Sequence, residues 1–472
     1  MYRSTRYRSV RRIMAISKND LDTMLGDPKK AILAMILPLT VSYLVTQVNL
    51  YVDTFWTSGL GADASSAIST IAPIYNIVSY AGVGLGIGAS ATIAYRLGQG
   101  DYRTSNNLAG NTLILGLFFS IAASVLVYFF TGPIIMAIGA ENIYDECLEY
   151  VFPYVLMSWA LILNGIVAGL LRSEGAARKS MIVLVVSAVF NMLLDPLLIY
   201  ALDWNLFGAG MATSLSSLIA GGMGLAWYAA DRMNIKLNRE AFRPSMSSMK
   251  EVLAVGAPKT AETTITQAIN MAQRVFFIVA AGTLGVMFYN IPWRYVALAT
   301  VPISALGAAI IPICSASLGQ RKPEKMDIAV RYSIKFTLIV SIAISAFIFI
   351  FADPLMDVFT YSESMAEQKG MLVWVTRMYC LLIPPYAFNM LGNSILQALK
   401  KSMLCTILVL AWGILKLACY AVASQYSFEA IIISFVILQY IIGGIMMYLA
   451  LDQTKKRKKS ILKELESTVP AS

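Results

Sequence analysis

The sequence predicts an all-α polytopic membrane protein whose twelve transmembrane helices form two homologous six-helix bundles. Three observations predict this fold class: the apolar composition of the whole chain, the regular recurrence of long apolar runs, and an internal repeat. Hydrophobic residues make up 58% of the 472 residues and charged residues only 14%, whereas about a quarter of the residues in soluble domains are charged. This composition leaves no room for a large soluble domain.

Apolar runs long enough to cross a bilayer recur along the chain, because about 20 helical residues span the hydrocarbon core. Candidate spans lie at about 31–58, 66–96, 105–131, 147–172, 178–202, 208–230, 251–280, 285–316, 329–352, 368–398, 402–424 and 427–451. They divide the chain into a basic N-terminal segment (1–30), an N-terminal bundle (31–230), a linker (231–250), a C-terminal bundle (251–451) and a basic tail (452–472). The tail contains the run KKRKK at 455–459 and is expected to be disordered or to face lipid.

Basic residues are concentrated in alternate loops, for example Arg96 and Arg103 after the second span and Arg178 and Lys179 after the fourth. The intervening loops carry a single basic residue, Lys369, and many acidic ones. Because short cytoplasmic loops are enriched in Lys and Arg, this alternation predicts an even number of spans in the plasma (inner) membrane with both termini cytoplasmic. The net charge of +10 is then explained by topology, and no nucleic-acid partner is expected.

The residue types that the sequence lacks exclude several chemistries. It contains no histidine, and its five cysteines are scattered without a CxxC spacing, so it offers no metalloprotease motif, no Ser-His-Asp triad and no zinc site. It has no P-loop motif either, so ATP hydrolysis by that route is excluded. We therefore expect no cofactor. Energy for transport must come from an ion gradient, and any proton chemistry must use carboxylates.

The two halves of the chain repeat each other at an offset of about 220 residues. Pro38, Thr40, Thr46 and Gln47 align with Pro258, Thr260, Thr266 and Gln267. At an offset of 221, the RLGQ sequence at 96–99 aligns with SLGQ at 317–320. Because each half has six spans, both halves have the same topology, as in parallel-repeat transporters, whose substrate sites lie near the middle of the membrane.

These motifs resemble the multidrug and toxic compound extrusion (MATE) family, in its prokaryotic, archaeal-like branch, over residues 20–455. They comprise the stretch Pro38–Asp53, the RLGQGD loop at 96–101 with its SLGQ counterpart, and Asn191-x-x-x-Asp195 followed by Thr213. The resemblance implies a MATE-type fold without enzymatic activity. It further implies export of small amphipathic, often cationic drugs or metabolites by alternating access, in exchange for H⁺ or Na⁺. A cation or proton site at Asp53, Asn191, Asp195 and Thr213 is implied as well. We expect a monomer in the lipid bilayer.

The residues themselves favour a polar site inside the first half. Ser42, Thr46, Asn49 and Asp53 follow each other at helical spacing on one face of the first span. Ser187, Asn191 and Asp195 do so on the fifth. A carboxylate inside a membrane costs about 3 kcal/mol, so it normally faces a cavity. We include Ser42, Thr46, Asn49, Asn164 and Ser187 as polar cavity residues. The alternative is that each Asp lies near a span end and reaches the lipid headgroups.

Proline and glycine residues suggest two further features of the first half. Pro38 lies within its span, where it removes a helical hydrogen bond, and it acts either as a moving hinge or as a static kink. Gly82, Gly84, Gly86 and Gly88 lie inside an apolar span. They therefore indicate close contact between helices and not a nucleotide-binding loop.

The second half does not duplicate the acidic site. At an offset of 221, Lys416 takes the place of Asp195 and Trp412 the place of Asn191. This half instead carries Glu262, Arg294 and Lys416 within apolar spans. These residues either line the second half of a cavity and contact substrate, or form buried structural ion pairs.

Two other functions remain as alternatives to export. A flippase for lipid-linked sugars would use Arg274, Arg294 and Lys416 to bind a phosphate headgroup. A membrane-embedded enzyme would need a metal-binding acid cluster or a catalytic histidine, and the sequence offers neither.

Overall fold

The computed structural model describes residues 20–137, 139–360 and 363–468, which contain helices and connecting turns but no strand. The helices of the first half are α1 (Pro28–Ser58), α2 (Ala62–Gly98), α3 (Tyr102–Ala137), α4 (Tyr144–Ser173), α5 (Ala177–Pro196) and α6 (Asn205–Ala229). Those of the second half are α7 (Met246–Ala299), α8 (Val301–Gly319), α9 (Pro323–Ile350), α10 (Ala352–Asp357), α11 (Glu363–Ala366), α12 (Lys369–Ala398), α13 (Ser402–Ala423) and α14 (Phe428–Thr468). The predicted all-α polytopic fold is confirmed.

Among the described residues, eleven helices are long and apolar enough to cross a membrane. The remaining predicted span, 251–280, is the first part of α7, where polar side chains such as Gln273 and Arg274 reduce the apolar character. α7 breaks at Ala281 and Gly282. Gly282 has φ 61° and ψ −153°, a conformation that only glycine adopts readily. The break therefore separates the seventh and eighth spans where the sequence predicts a boundary.

Two compact units make up the chain. The first contains the residues up to Thr260 together with Ile311–Lys322, and the second contains Ala261–Ile310 and the residues from Pro323 onwards. The start of α7 and the end of α8 thus belong to the first unit. The domain boundaries drawn from the sequence, at 230 and 251, stay a prediction.

Glycines allow the helices of the first unit to pack with their backbones in contact. A Cβ atom on Gly86 would lie 2.3 Å from the carbonyl oxygen of Gly165, and one on Gly169 would lie 2.2 Å from that of Gly86. Gly84 and Gly88 approach the start of α7 in the same way, near Gly256. The predicted role of the glycine-rich stretch in close helix contact is confirmed.

The basic loops of the first unit meet at one end of it. Glu174, which follows α4, accepts hydrogen bonds from the backbone N–H groups of Asn234 (2.6 Å) and Ile235 (3.2 Å) in the linker. Burial raises the pKa of the Glu174 carboxyl, and these two hydrogen bonds oppose the rise. Asn106, which follows the second span, accepts a hydrogen bond from Lys236 N (2.9 Å). The loops after α2, after α4 and after α6 therefore lie on the same side.

The prediction of a disordered C-terminal tail is wrong for the described residues, because α14 continues to Thr468. Lysine, glutamate and leucine in this segment are good helix formers. Asp452 pairs with Lys456 one turn later (2.7 Å), and Lys458 reaches Asp327 at the start of α9 (3.4 Å). The tail thus lies beside the start of α9 in the second unit.

Candidate functional site

The candidate site lies where α1 packs against α5 in the first unit. Asn49 Nδ2 donates a hydrogen bond to Asn191 Oδ1 (2.8 Å), and Asn191 Nδ2 donates to Asp195 Oδ1 (3.1 Å). The Asp53 carboxyl lies within hydrogen-bonding distance of the Asp195 carboxyl. These four residues form one contiguous polar group, the carboxyl cluster. Since Asp195 has 0% exposure, its side chain does not reach out to headgroups.

A local irregularity positions Asp195. Pro196 follows it directly and has no N–H group, so the regular helix ends there and Leu197–Ala201 form a π-helical turn. Such turns occur often at functional sites. In this turn, the Tyr200 hydroxyl donates a hydrogen bond to the carbonyl oxygen of Trp56 on α1 (2.5 Å). This hydrogen bond holds the C-terminal end of α1 against the π-helical turn that follows α5.

Three tyrosines lie between Asp53 and Thr213. Tyr75 stacks on Tyr154, with ring centroids 4.6 Å apart, and the Tyr154 hydroxyl donates to that of Tyr150 (3.1 Å). Thr213 lies beside Tyr154. Thr213 itself donates to the Ala209 carbonyl (3.3 Å) and, among the described residues, forms no hydrogen bond with either aspartate. Thr213 therefore stays outside the hydrogen bonds of the carboxyl cluster in the described part of the chain.

The other polar residues predicted for the first half lie in two places. On α1, the Ser42 hydroxyl donates to the Leu39 carbonyl (2.8 Å) and the Thr46 hydroxyl to the Ser42 carbonyl (2.9 Å). Both hydroxyls therefore form their hydrogen bonds within their own helix. Between α4 and α5, Asn164 Nδ2 donates to the Ser187 hydroxyl (3.2 Å). Pro38 is buried, and α1 continues through it without a break. Of these residues, Ser42 and Thr46 share the helix face of Asn49 and Asp53.

The carboxyl cluster can hold a proton or a small cation. A hydrogen bond between two carboxyl groups needs a proton on one of them, because a carboxylate only accepts. Asp195 Oδ2 and Asn49 Oδ1 are buried and receive no hydrogen bond from an N–H or hydroxyl group of the described residues. The Asp195 oxygen can take up a proton, and both oxygens can coordinate a hard cation.

The charged residues predicted for the second half lie in different surroundings. Glu262 is buried and accepts a hydrogen bond from Asn393 Nδ2 (2.7 Å), and Asn393 in turn accepts from Gln397 Nε2 (2.6 Å). The Arg294 guanidinium lies 5.7 Å from the ring centroid of Phe359. Lys416 Nζ lies over aromatic rings and, within the described part of the chain, forms no salt bridge.

Sequence reasoning missed the tyrosines beside Asp53 and the amides beside Glu262. One signal for the tyrosines was available, because Tyr150 and Tyr154 are four residues apart and therefore share a helix face. Nothing in the sequence linked Asn393 to Glu262, since 131 residues separate them. Contacts of that kind depend on how helices pack together.

Two helical units with polar and charged side chains buried inside apolar spans define a multi-pass membrane transporter. Residues 38–197 and 258–418 each match the MatE family model, so the chain belongs to the MatE family, the multidrug and toxic compound extrusion transporters. The two matches begin 220 residues apart, in agreement with the internal repeat. The family consists of transporters and not of enzymes.

Relatives of established function are transporters. The chain is 25% identical to an FAD transporter from Shewanella oneidensis over 383 residues, which cover 78% of this chain and 81% of the relative. It is 23% identical to the multidrug export protein MepA from Staphylococcus aureus over 389 residues, covering 81% and 84%. A crystal structure of a MATE transporter in the straight conformation superimposes with a TM-score of 0.88 at 26% identity, covering 93% of this chain and 99% of that one.

Proposed function

We propose that this protein is a cation-coupled antiporter that exports amphipathic, often cationic compounds by alternating access, acting as a monomer. Coupling takes place at the carboxyl cluster, where the bound ion and the exported substrate compete for Asp53 and Asp195. The observation that carries this proposal is the contact between two carboxyl groups inside apolar spans, next to a buried oxygen that lacks a donor. An ionisable group in that position is expected to be functional.

The geometry favours H⁺ as the coupling ion. The contact between the two carboxyl groups supports a shared proton, which needs no other ligand. Na⁺ would need several oxygen ligands; of those predicted for it, the Asn191 oxygen already accepts a hydrogen bond from Asn49, and Thr213 forms its hydrogen bond within its own helix instead of with an aspartate. Uptake of ethidium into everted membrane vesicles after an imposed pH step tests the proposed coupling. No response to the pH step would contradict it.

Both termini are proposed to lie in the cytoplasm. The basic loops that meet at one end of the first unit support this orientation, since short cytoplasmic loops are rich in Lys and Arg. A green fluorescent protein fused to either terminus should fluoresce, and an alkaline phosphatase fusion at the same positions should be inactive. An active phosphatase at one terminus would contradict the even number of spans, and at both termini it would reverse the orientation.

Pro38 is proposed to be the hinge of α1, which carries Asn49 and Asp53. Pro38→Ala restores a backbone N–H group and should stiffen the helix, so we expect normal expression and several-fold slower ethidium export. Initial rates in vesicles measure the effect. Pro133→Ala is a matched control, because Pro133 lies in α3, away from the carboxyl cluster. Equal rates for Pro38→Ala and the unmodified protein would identify a static kink.

A further inference from the structure

Lys416 places a positive charge inside the second unit, and no acidic side chain of the described residues pairs with it. Its Nζ lies 5.5 Å from the ring centroid of Phe435 and 5.8 Å from that of Tyr420. Within the described residues it forms no salt bridge. A cation inside a membrane span is costly, and cation–π contacts offset part of that cost without neutralising the charge. The charge is therefore incompletely compensated by the residues around it.

The residues around Lys416 form an aromatic cluster. Phe435 lies at its centre, with ring centroids 6.0 Å from Trp293, 6.0 Å from Tyr379, 6.2 Å from Tyr420 and 6.4 Å from Tyr289. We call these five rings and Lys416 the Lys416 cluster. Trp293 stacks nearly parallel on Tyr289, at 5.6 Å and 13°. Beyond the break in α7, Gly285 packs directly against the Phe277 backbone, and the Phe277 ring stacks on Tyr289 at 4.6 Å.

Several polar atoms of the cluster are buried without a hydrogen-bond partner in the described part of the chain. They are the hydroxyl oxygens of Tyr379 and Tyr420 and the neighbouring Gln273 Oε1, whose amide nitrogen donates to the Tyr289 hydroxyl (3.0 Å). These three residues are at most 1% exposed. Two hydroxyls and an ammonium group supply donors, whereas the acceptors among these groups are all neutral oxygens. The cluster therefore lacks an acceptor-rich partner.

The internal repeat relates the Lys416 cluster to the carboxyl cluster. Lys416 occupies the position of Asp195 at an offset of 221, and tyrosines lie near the charged groups of both clusters. Tyr75, Tyr150 and Tyr154 lie near Asp53, and Tyr420 lies beside Lys416. The two units thus have similar aromatic surroundings around charges of opposite sign.

From this geometry we infer that the Lys416 cluster is a binding site for an aromatic anion, with a carboxylate or phosphate as the charged group. The anion pairs with the Lys416 ammonium and accepts hydrogen bonds from the tyrosine hydroxyls. Its ring packs against Trp293 or Phe435, since offset stacking adds to burial. The site is separate from the carboxyl cluster, and binding there requires no ion gradient.

Binding can be measured on the full-length protein in lipid nanodiscs with a matched pair of probes. Naphthalene-1-acetate and naphthalene-1-acetamide share shape and ring but differ in charge, and 1-naphthyl phosphate separates phosphate from carboxylate preference. Tryptophan fluorescence quenching or calorimetry should show at least tenfold tighter binding of one or both anions than of the neutral amide. Equal affinity for all three compounds would overturn the inference.

Substitutions assign the binding to the cluster. Lys416→Met keeps the length of the side chain, and we expect it to weaken anion binding at least tenfold while leaving the amide unchanged. Lys335→Met is the control, because Lys335 is an exposed lysine of the same unit. If Lys416→Met does not fold, Tyr379→Phe and Tyr420→Phe keep the rings and should each weaken the anion several-fold. Anion binding unaffected by these variants would assign Lys416 a purely structural role.

Asp195→Asn should retain anion binding even if it abolishes transport, which distinguishes this site from the proposed coupling site.

Discussion

Asp53→Asn and Asp195→Asn are each expected to abolish gradient-driven export while leaving the protein folded. Asparagine keeps the size and most of the hydrogen bonding, but it removes the carboxyl that carries the coupling ion. Removing a buried ionisable group does not usually destabilise a fold, and it can stabilise it. We therefore expect normal expression, a thermal unfolding midpoint at or above that of the unmodified protein, and an ethidium export rate reduced at least tenfold. Initial rates in everted vesicles measure this loss.

Asp63→Asn is the matched control for these variants, because Asp63 is an exposed carboxylate in the first turn of α2. Its export rate should equal that of the unmodified protein. Near-normal, gradient-dependent export by both Asp53→Asn and Asp195→Asn would contradict the proposed site.

Asn191→Ala and Thr213→Ala distinguish coupling by H⁺ from coupling by Na⁺, because a bound proton needs no further ligands and a bound Na⁺ does. Mild effects of both support H⁺, and losses as large as those of the aspartate variants support Na⁺.

Gly169→Val is expected to prevent stable folding of the first unit. A Cβ atom on Gly169 would lie 2.2 Å from the carbonyl oxygen of Gly86 and 2.4 Å from its Cα. Because both atoms belong to the backbone, no rotamer change relieves the clash, and α2 and α4 must move apart. Overpacking of a core ordinarily costs about 1–3 kcal/mol, and a backbone clash should exceed that range. Size-exclusion chromatography of a fluorescent fusion should show aggregation or a strongly lowered melting temperature.

Gly222→Val is the control for this substitution. Gly222 lies in α6, and a Cβ atom added there would meet nothing within 4 Å. This variant should elute as a single peak with an unfolding midpoint close to that of the unmodified protein. Equal stability of Gly169→Val and Gly222→Val would show that α2 and α4 pack less closely than the backbone contact indicates.

Apolar runs and turn residues allowed most of the fold to be predicted from sequence. The first span was predicted from residue 31, and α1 begins at Pro28, where Asp27 accepts a hydrogen bond from Lys29 N (2.8 Å). Capping residues of this kind lie outside an apolar run and are easily missed. The helical C-terminal segment was also missed, because its pairing of Asp452 with Lys456 stabilises a helix without any apolar signal.

The candidate site was predictable where helical spacing defines a face, and unpredictable where distant helices meet. Spacing grouped Asn49 with Asp53 and Asn191 with Asp195, and the structure joins the two pairs. It could not predict that Asn49 donates a hydrogen bond to the Asn191 oxygen across 142 residues of sequence, or that Thr213 stays outside the hydrogen bonds of the cluster. The sequence did predict a positive charge in the second unit where the first unit has a negative one, because Lys416 aligns with Asp195 in the repeat. The aromatic surroundings of Lys416 were not predictable, because they depend on how helices pack together.

Transport in proteoliposomes with the pH and Na⁺ gradients imposed separately tests the central claim most directly. The claim is that the carboxyl cluster couples export to protons, so a pH gradient alone should drive ethidium movement in liposomes containing the unmodified protein. A Na⁺ gradient alone should not drive it, and liposomes containing Asp195→Asn should respond to neither gradient. Ethidium movement driven by Na⁺ alone, or by a pH gradient in the Asp195→Asn variant, would contradict it.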